Sequence, residues 1–180
     1  MLMISTEIEK LRYPIREFNN STFIKAKVEE NIQTIENLPS LLKQSVKGLS
    51  TEQLDTLYRP GGWTIRQLVH HLTDSYINLY VRFRLALTED EPAVKVWQEE
   101  RWAELCDAKN EPVELSLNIQ EALIKRLVIL LKSLNKAELS RNFIHPDSGK
   151  VSIKKCIALL AWHGKHHIGH IESLKDRNNW

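Results

Sequence analysis

The chain has 180 residues, of which 42% are hydrophobic and 27% are charged, as in an ordinary globular protein. This length suits one domain, so we expect residues 1–180 to fold as a single unit. The 25 basic and 23 acidic side chains are interspersed, whereas nucleic-acid-binding domains concentrate basic residues on one face. No stretch is long and apolar enough for a membrane span, and residues 1–7 lack the basic region of a signal peptide. We therefore predict a cytoplasmic protein that binds neither nucleic acid nor a membrane.

Glycine and proline are sparse, with six of each, and the stretches between them repeat apolar residues at spacings of three and four. This periodicity predicts four long helices. The first begins at about Thr22, and Pro39 starts or kinks its continuation. The others run from Thr64 to about Leu87, from about Leu117 to Leu134 and from about Ser152 to Leu174. We predict an all-α fold, a four-helix bundle with short connecting helices.

The second and fourth predicted helices begin alike. Thr64 and Gln67 form a capping-box pattern, and Ser152 takes the matching position before the fourth helix. Each helix is preceded by a short segment of similar pattern and by a turn that contains glycine. We interpret this as a weak internal duplication, so that a site between the two helices would lie between equivalent elements.

All seven histidines follow residue 69, and six of them form two clusters, one on each of these helices. His163 and His167 are four residues apart, which places their imidazoles one turn apart on one face, close enough to reach one ion. On a helical wheel, His163 and His167 both face the bundle interior or its edge. The same wheel predicts that His166 faces solvent. Histidines turned into a core without an ion would need hydrogen-bond partners, which favours a metal site. The spacing of His163 and His167 matches the zincin motif, but Gly164 stands where that motif has a glutamate, so a zincin protease is not supported.

A catalytic metal usually has three protein ligands and one open position, so a third ligand is needed. His70 and His71 are the natural source. The wheel places them on opposite flanks of the apolar stripe at nearly equal angles, so the residues alone leave both as candidates. A structural ion would instead have a closed shell of four ligands, with His170 or a carboxylate in the fourth place.

Motifs spread over most of the chain carry a resemblance to a known family, and they include Arg12-Tyr13-Pro14-Ile15, Gly62-Trp63-Thr64, His70-His71-Leu72, His145-Pro146-Asp147 and Trp162-His163. In these motifs the sequence resembles the DinB/YfiT-like superfamily of bacterial metal-binding bundles, and its YfiT-type metal-dependent hydrolases in particular. The resemblance implies that His71, His163 and His167 are the metal ligands. It also implies an up-down-down-up bundle, a homodimer, and zinc or nickel with water completing the site.

Three functions follow from such a site. A three-histidine metal can activate bound water for hydrolysis of a small-molecule substrate, and this is the first expectation. It can equally bind and deprotonate a thiol, and relatives in the family are thiol S-transferases or isomerases that use bacillithiol or mycothiol. The third function is a structural metal in a non-catalytic protein.

The remaining candidates support one or another of these functions. Asp74, three residues after His71, and Asp147 are the candidate catalytic bases for hydrolysis. Arg66 is the candidate for binding an anionic group of a cofactor such as bacillithiol. Trp97 and Trp102 could line a pocket or a dimer contact, and the sequence leaves them unassigned.

Overall fold

The protein is described here by a computed structural model, which describes residues 9–18 and 27–180. Residues 9–12 are helical. The helices and strands that follow are α1 (Val28–Val46), α2 (Thr51–Leu54), α3 (Ile65–Thr88), α4 (Glu99–Trp102), α5 (Cys106–Asn110), α6 (Val113–Ser133), α7 (Lys136–Leu139), β1 (Asn142–His145), β2 (Gly149–Ser152) and α8 (Ile153–Asn178). The four long helices α1, α3, α6 and α8 confirm the predicted all-α four-helix bundle. The predicted start of the first helix, at about Thr22, lies outside the described residues.

The four long helices enclose one apolar core. Helix α1 packs against α6 and α8, and α3 packs against the same two helices. The largest fully buried side chains come from α1, α3, α6 and β1, and they are Ile35, Leu38, Leu42, Ile65, Leu68, Leu72, Tyr76, Phe83, Ile124, Leu127, Leu131 and Phe143. Helix α8 adds the fully buried Ile153, Ile157, Leu160 and Ile171. Helix α1 continues through Pro39 as a single helix. Among the helices that the structure describes, none is long and apolar enough to cross a membrane.

The predicted cap of the second long helix is present. The Thr64 hydroxyl accepts a hydrogen bond from the Gln67 backbone N–H at 3.1 Å, and the Gln67 side chain accepts from the Thr64 N–H at 3.0 Å. Ser152 caps α8 by accepting from the Lys155 N–H. These bonds satisfy backbone donors that have no partner inside the helix and fix where each histidine-bearing helix begins.

The segments before α3 and α8 match each other in structure as well as in pattern. The short helices α2 and α7 both begin with a full capping box, formed by Ser50 with Gln53 and by Asn135 with Glu138. The chain then makes a turn and enters the long helix. This agreement supports the weak internal duplication inferred from the sequence.

The hairpin of β1 and β2 was not predicted. Its two strands are antiparallel and pair Asn142 with Ser152 and His145 with Gly149. Each strand has only four residues, which is too short for a clear alternation of apolar and polar side chains. The hairpin leads directly into α8, because the Ile153 N–H donates to the Arg141 carbonyl across its open end.

Candidate metal centre

The structure separates the roles of the two adjacent histidines on α3. His70 has a partner for each ring nitrogen, because its Nδ1 lies 2.7 Å from the Ser116 hydroxyl and its Nε2 lies 3.2 Å from the Glu111 carbonyl oxygen. A neutral imidazole makes both bonds, accepting at Nδ1 and donating at Nε2. His70 therefore ties α3 to α6 and to Glu111, the residue that follows α5.

His71 faces the opposite direction, toward α8. Its ring centroid lies 5.4 Å from that of His163 and 4.9 Å from that of His167. Nε2 of His71 lies 3.4 Å from the Ser75 hydroxyl one turn later, and Nδ1 is buried without a hydrogen-bond partner. When Nε2–H donates to Ser75, the Nδ1 lone pair is left for another ligand.

Helix α8 presents His163 and His167 at the predicted spacing. Their Nε2 atoms lie 3.1 Å apart, and the two rings meet edge to face. Both Nδ1 atoms are buried and have no hydrogen-bond partner. The two Nε2 atoms thus approach a common point, as two ligands of one ion do.

The three histidines form a group that fits a metal ion. One nitrogen from each of His71, His163 and His167 lies within 4.8 Å of the others, and among the described residues no further His, Cys, Asp or Glu joins this group. Burial lowers the pKa of His163 to about 4, and it holds the pKa values of His71 and His167 well below their usual range. All three imidazoles are therefore neutral at physiological pH, which is the form that binds a metal.

Aromatic side chains pack around His71. The Trp63 ring centroid lies 4.5 Å from that of His71, and Trp97 stacks at 5.6 Å with an interplanar angle of 20°. Trp102 in turn meets Trp97 edge to face at 4.9 Å. The two tryptophans that the sequence left unassigned therefore build a wall beside the histidine group.

The histidines line a cavity of about 720 Å³. Its rim contains Glu99 and Glu100 of α4 and Glu104 just after it. Partial burial raises the pKa of Glu99. Sequence reasoning missed these carboxylates, because they lie on a connecting helix of one turn with no fixed spacing from the histidines. The only available signal was their position next to Trp97 and Trp102.

The candidate bases Asp74 and Asp147 do not line the histidine cavity. Asp74 is absent from the lining of the histidine cavity, and burial with the nearby Asp107 charge raises its pKa to about 6. Asp147 lines an adjoining cavity that shares Glu99 and Glu100 with the first.

Arg66 was predicted to bind an anionic cofactor group near the metal. Its side chain is instead buried, with Nε 2.7 Å from the Asp55 carboxylate and Nη1 3.0 Å from the Glu111 carbonyl oxygen. These bonds pair the Arg66 guanidinium with groups of the protein itself and anchor the first turn of α3.

The prediction that His166 faces solvent was wrong. Only 8% of His166 is exposed, because Trp162 stacks on its ring at 4.5 Å and Tyr13, from the segment before α1, lies at 6.0 Å. A helical wheel considers one helix alone and cannot include a distant segment that covers its outer face. His166 also lines the histidine cavity.

These elements define a class of protein, a helical bundle in which two helices bring three histidines together. Residues 34–171 match the model of the DinB superfamily, and the chain belongs to this superfamily. The resemblance drawn from the motifs is confirmed.

Relatives agree with this assignment. A protein of Oceanobacillus iheyensis, named "Putative metal-dependent hydrolase", is 50% identical over 170 residues, which cover 94% of this chain and 98% of the relative. The structure of YfiT from Bacillus subtilis is described as "a probable metal-dependent hydrolase with an unusual four-helix bundle topology". It has a TM-score of 0.89 at 40% identity, and the match covers 95% of this chain and 99% of the YfiT chain. A mycothiol-dependent maleylpyruvate isomerase has a TM-score of 0.65 at 18% identity, over 81% of this chain and 61% of the isomerase, and shares the fold alone.

Proposed function

We propose that this protein is a metal-dependent hydrolase in which His71, His163 and His167 hold one divalent ion, zinc or nickel. The observation that carries the proposal is the convergence of three neutral imidazoles from two helices in the lining of a cavity, each with an Nδ1 atom that has no hydrogen-bond partner. Imidazole nitrogen suits either metal. When bound, such an ion supplies Lewis-acid chemistry, polarising a substrate carbonyl or making a water or a thiol more acidic.

The protein's own side chains supply the rest of the site. Trp63 and Trp97 shield one side of His71 from water and hold its ring in place. Ser75 holds the tautomer of His71, in the way that second-shell partners orient metal-binding histidines. Each of these contacts fixes a ligand before an ion arrives.

Glu99 is the proposed proton acceptor, and its position favours it over Asp74 and Asp147. It lines the cavity that contains the histidines, and its raised pKa makes it a better base than an ordinary exposed glutamate. Asp147 stays a candidate at the end of the adjoining cavity, where it would contact a longer substrate.

Thiol transfer is the alternative chemistry at the same site. It needs no carboxylate base, because coordination alone deprotonates a thiol. A structural ion is less well supported, because His170, the expected fourth ligand, lies with its Nε2 3.1 Å from His166 rather than within the group of three.

Two adjacent positions test the metal centre. Protein purified without a histidine tag should contain about one zinc or nickel per chain by elemental analysis, as a three-ligand site holds one ion. His71→Ala should abolish this content, whereas the matched variant His70→Ala should retain it and lose only stability. Equal metal content in the two variants would refute the ligand assignment.

A second experiment separates the two chemistries. The metal-loaded protein is assayed with a panel of activated esters and amides in water, and with monobromobimane in the presence and absence of bacillithiol. Turnover of an ester or amide that needs only water supports hydrolysis. Turnover that requires the thiol would replace the proposed hydrolase with a thiol S-transferase.

The proposal includes a homodimer, which a surface of α6 supports. Leu115, Ile119 and Ile129 of this helix are large apolar residues with 53%, 49% and 71% of their surface exposed. A second copy would cover them. Sedimentation equilibrium should give twice the chain mass for the wild type and the single mass for Ile129→Lys, with metal content unchanged.

A further inference from the structure

The loop between α2 and α3 makes a tight turn at the edge of the histidine cavity. The Gly62 N–H donates to the Arg59 carbonyl oxygen at 3.0 Å and closes the turn. Pro60 is its second residue and Gly61, with a positive φ of 68°, is its third, which is the pattern of a type II turn. The next residue, Trp63, belongs to the aromatic packing around the candidate metal centre. The loop therefore presents its side chains to the cavity from a fixed backbone.

The side chain of Arg59 is held against this loop. Its guanidinium carbon lies 5.3 Å from the centre of the Tyr58 ring, and its Nη1 donates to the Pro60 carbonyl oxygen at 3.3 Å. Its Cγ packs over Gly62, where an added Cβ would lie only 2.9 Å from it. Because these contacts hold both the stem and one edge of the guanidinium, the charge is in place before any ligand enters.

The charge of Arg59 has no anionic partner in the part of the chain that the structure describes. Glu99, Glu100 and Glu104 line the same cavity, yet none of them forms an ion pair with it. Nε of Arg59 is buried without a hydrogen-bond partner. Nη2 also has no partner among the described residues but is not one of the buried atoms, so a ligand in the cavity can contact it.

Other arginines that are at least partly buried are satisfied by the protein itself. Arg66 donates to the carboxylate of Asp55 and to the carbonyl oxygen of Glu111. Arg141 donates to two carbonyl oxygens at 2.6 Å each. Arg59 donates only to the carbonyl oxygen of the residue that follows it. Because a partly buried charge without a counter-ion is unfavourable, the Arg59 guanidinium fits an anion from outside the chain.

The cavity restricts the kind of anion. Its volume of about 720 Å³ suits a small molecule. A guanidinium binds the oxygens of a carboxylate or a phosphate, but the three glutamates of the lining would repel a doubly charged phosphate more strongly than a singly charged carboxylate. The same cavity contains His71, His163 and His167, so one small molecule can contact both Arg59 and an ion held by these histidines.

We propose that Arg59 binds a carboxylate group of the substrate through Nη2, while another part of the same molecule reaches the metal ion. The substrates are then small esters or amides that carry a carboxylate a few bonds from the carbonyl group that is cleaved. This assignment of the substrate class rests on the metal centre and the hydrolysis of the proposed function.

The test uses chelating probes that differ in one charge. The monohydroxamates of succinic and glutaric acid carry a carboxylate at two distances from the chelating group, and each is compared with the uncharged probe in which a primary amide replaces the carboxylate. Binding to the cobalt-loaded protein is measured from the visible absorption of the ion. The wild type should bind at least one acid about 10- to 100-fold more tightly than its amide, the range expected for a hydrogen bond to a charged group.

Two arginine variants locate the source of this preference. Arg59→Gln should bind cobalt at the wild-type stoichiometry and bind acid and amide with equal affinity, and Arg59→Lys should restore part of the preference. Arg84 provides the matched control, because its guanidinium carbon lies 5.4 Å from the Tyr80 ring centre in a similar contact, but it is exposed and does not line the histidine cavity. Arg84→Gln should keep the full preference for the acid.

The possible failures are distinguishable. Absence of cobalt binding in the wild type would refute the metal centre, and this proposal with it. When cobalt binds normally, equal affinities for acid and amide in the wild type would overturn only the role of Arg59. A preference that survives in Arg59→Gln, or one that is lost to the same degree in Arg84→Gln, would do the same.

Chemical protection is a second measurement that needs no variant. Phenylglyoxal modifies accessible guanidinium groups, and peptide mass spectrometry measures the extent of modification at Arg59. In the cobalt-loaded wild type, Arg59 should react, and the acid that binds more tightly should protect it more strongly than its amide at equal occupancy of the metal. An unreactive Arg59 in the free protein, or equal protection by both probes, would contradict the proposal.

Discussion

Gly164 allows α8 to approach the other two helices that build the site. A Cβ at this position would lie 2.5 Å from Tyr76 Oη of α3 and 2.8 Å from Leu38 Cδ2 of α1, with Leu38 Cδ1 nearer still. Both neighbours are fully buried, so neither can shift outward into solvent. Overpacking of this kind costs about 1–3 kcal/mol. Alanine gains about 0.5–1 kcal/mol over glycine inside a helix, so Gly164→Ala should destabilise the protein by about 1–2 kcal/mol in total.

Gly169, five residues later on the same helix, provides the matched control. Its added Cβ would meet Ile15 at 3.1 Å and Pro14 at 3.4 Å, and Ile15 is 37% exposed and can shift outward. Gly169→Ala should therefore be neutral or stabilising. Urea unfolding of the metal-free proteins measures both free energies. A Gly164→Ala protein as stable as the wild type would show that α8 does not depend on this close contact.

The remaining predictions concern the site and its support. In the metal-free folded protein, burial lowers the pKa of His163 from 6.5 to about 4. As the pH falls, the unfolded state therefore takes up a proton before the folded state does. About 3 kcal/mol of stability should be lost between pH 6.5 and pH 4. Stability that stays constant over this pH range in urea titrations would contradict the buried neutral state. Arg66→Ala removes the bonds to Asp55 and Glu111, so it should lower the free energy of unfolding by about 1–3 kcal/mol and leave the metal content unchanged. Loss of metal in this variant would instead favour a role for Arg66 at the metal centre. Glu99→Gln should lower kcat for hydrolysis without changing metal content, and an unchanged kcat would remove Glu99 as the base.

The long helices could be read from the sequence because each is several turns long. The repeat of apolar residues over Ile65–Thr88 and Ile153–Asn178 exceeds what chance produces in a short segment, and the capping residues Thr64 and Ser152 mark where each helix begins. The pairing of His163 with His167 followed from helix geometry alone. The position of His71 did not, because the wheel placed it and His70 symmetrically, and only the resemblance to a family distinguished them.

The parts that could not be predicted depend on contacts between distant segments. His166 is covered by residues 9–18, which no local pattern connects to α8. Glu99 reaches the cavity because the connector after α3 folds back over the histidines. Trp97 follows the same path and stacks on His71. Such contacts depend on the tertiary fold, so they cannot be predicted from the spacing of residues along the chain.

The distribution of buried polar atoms argues that this region exists for function. Among the described residues, six buried side-chain nitrogen or oxygen atoms have no hydrogen-bond partner, and four of these are Nδ1 atoms of histidines at one site. Each unsatisfied buried group costs about 1–3 kcal/mol, so apolar residues would make a more stable protein at the same positions. His70, on the same helix, has both ring nitrogens satisfied, which shows that the fold can accommodate a buried histidine without this cost. The unsatisfied Nδ1 atoms are therefore concentrated around the candidate metal centre.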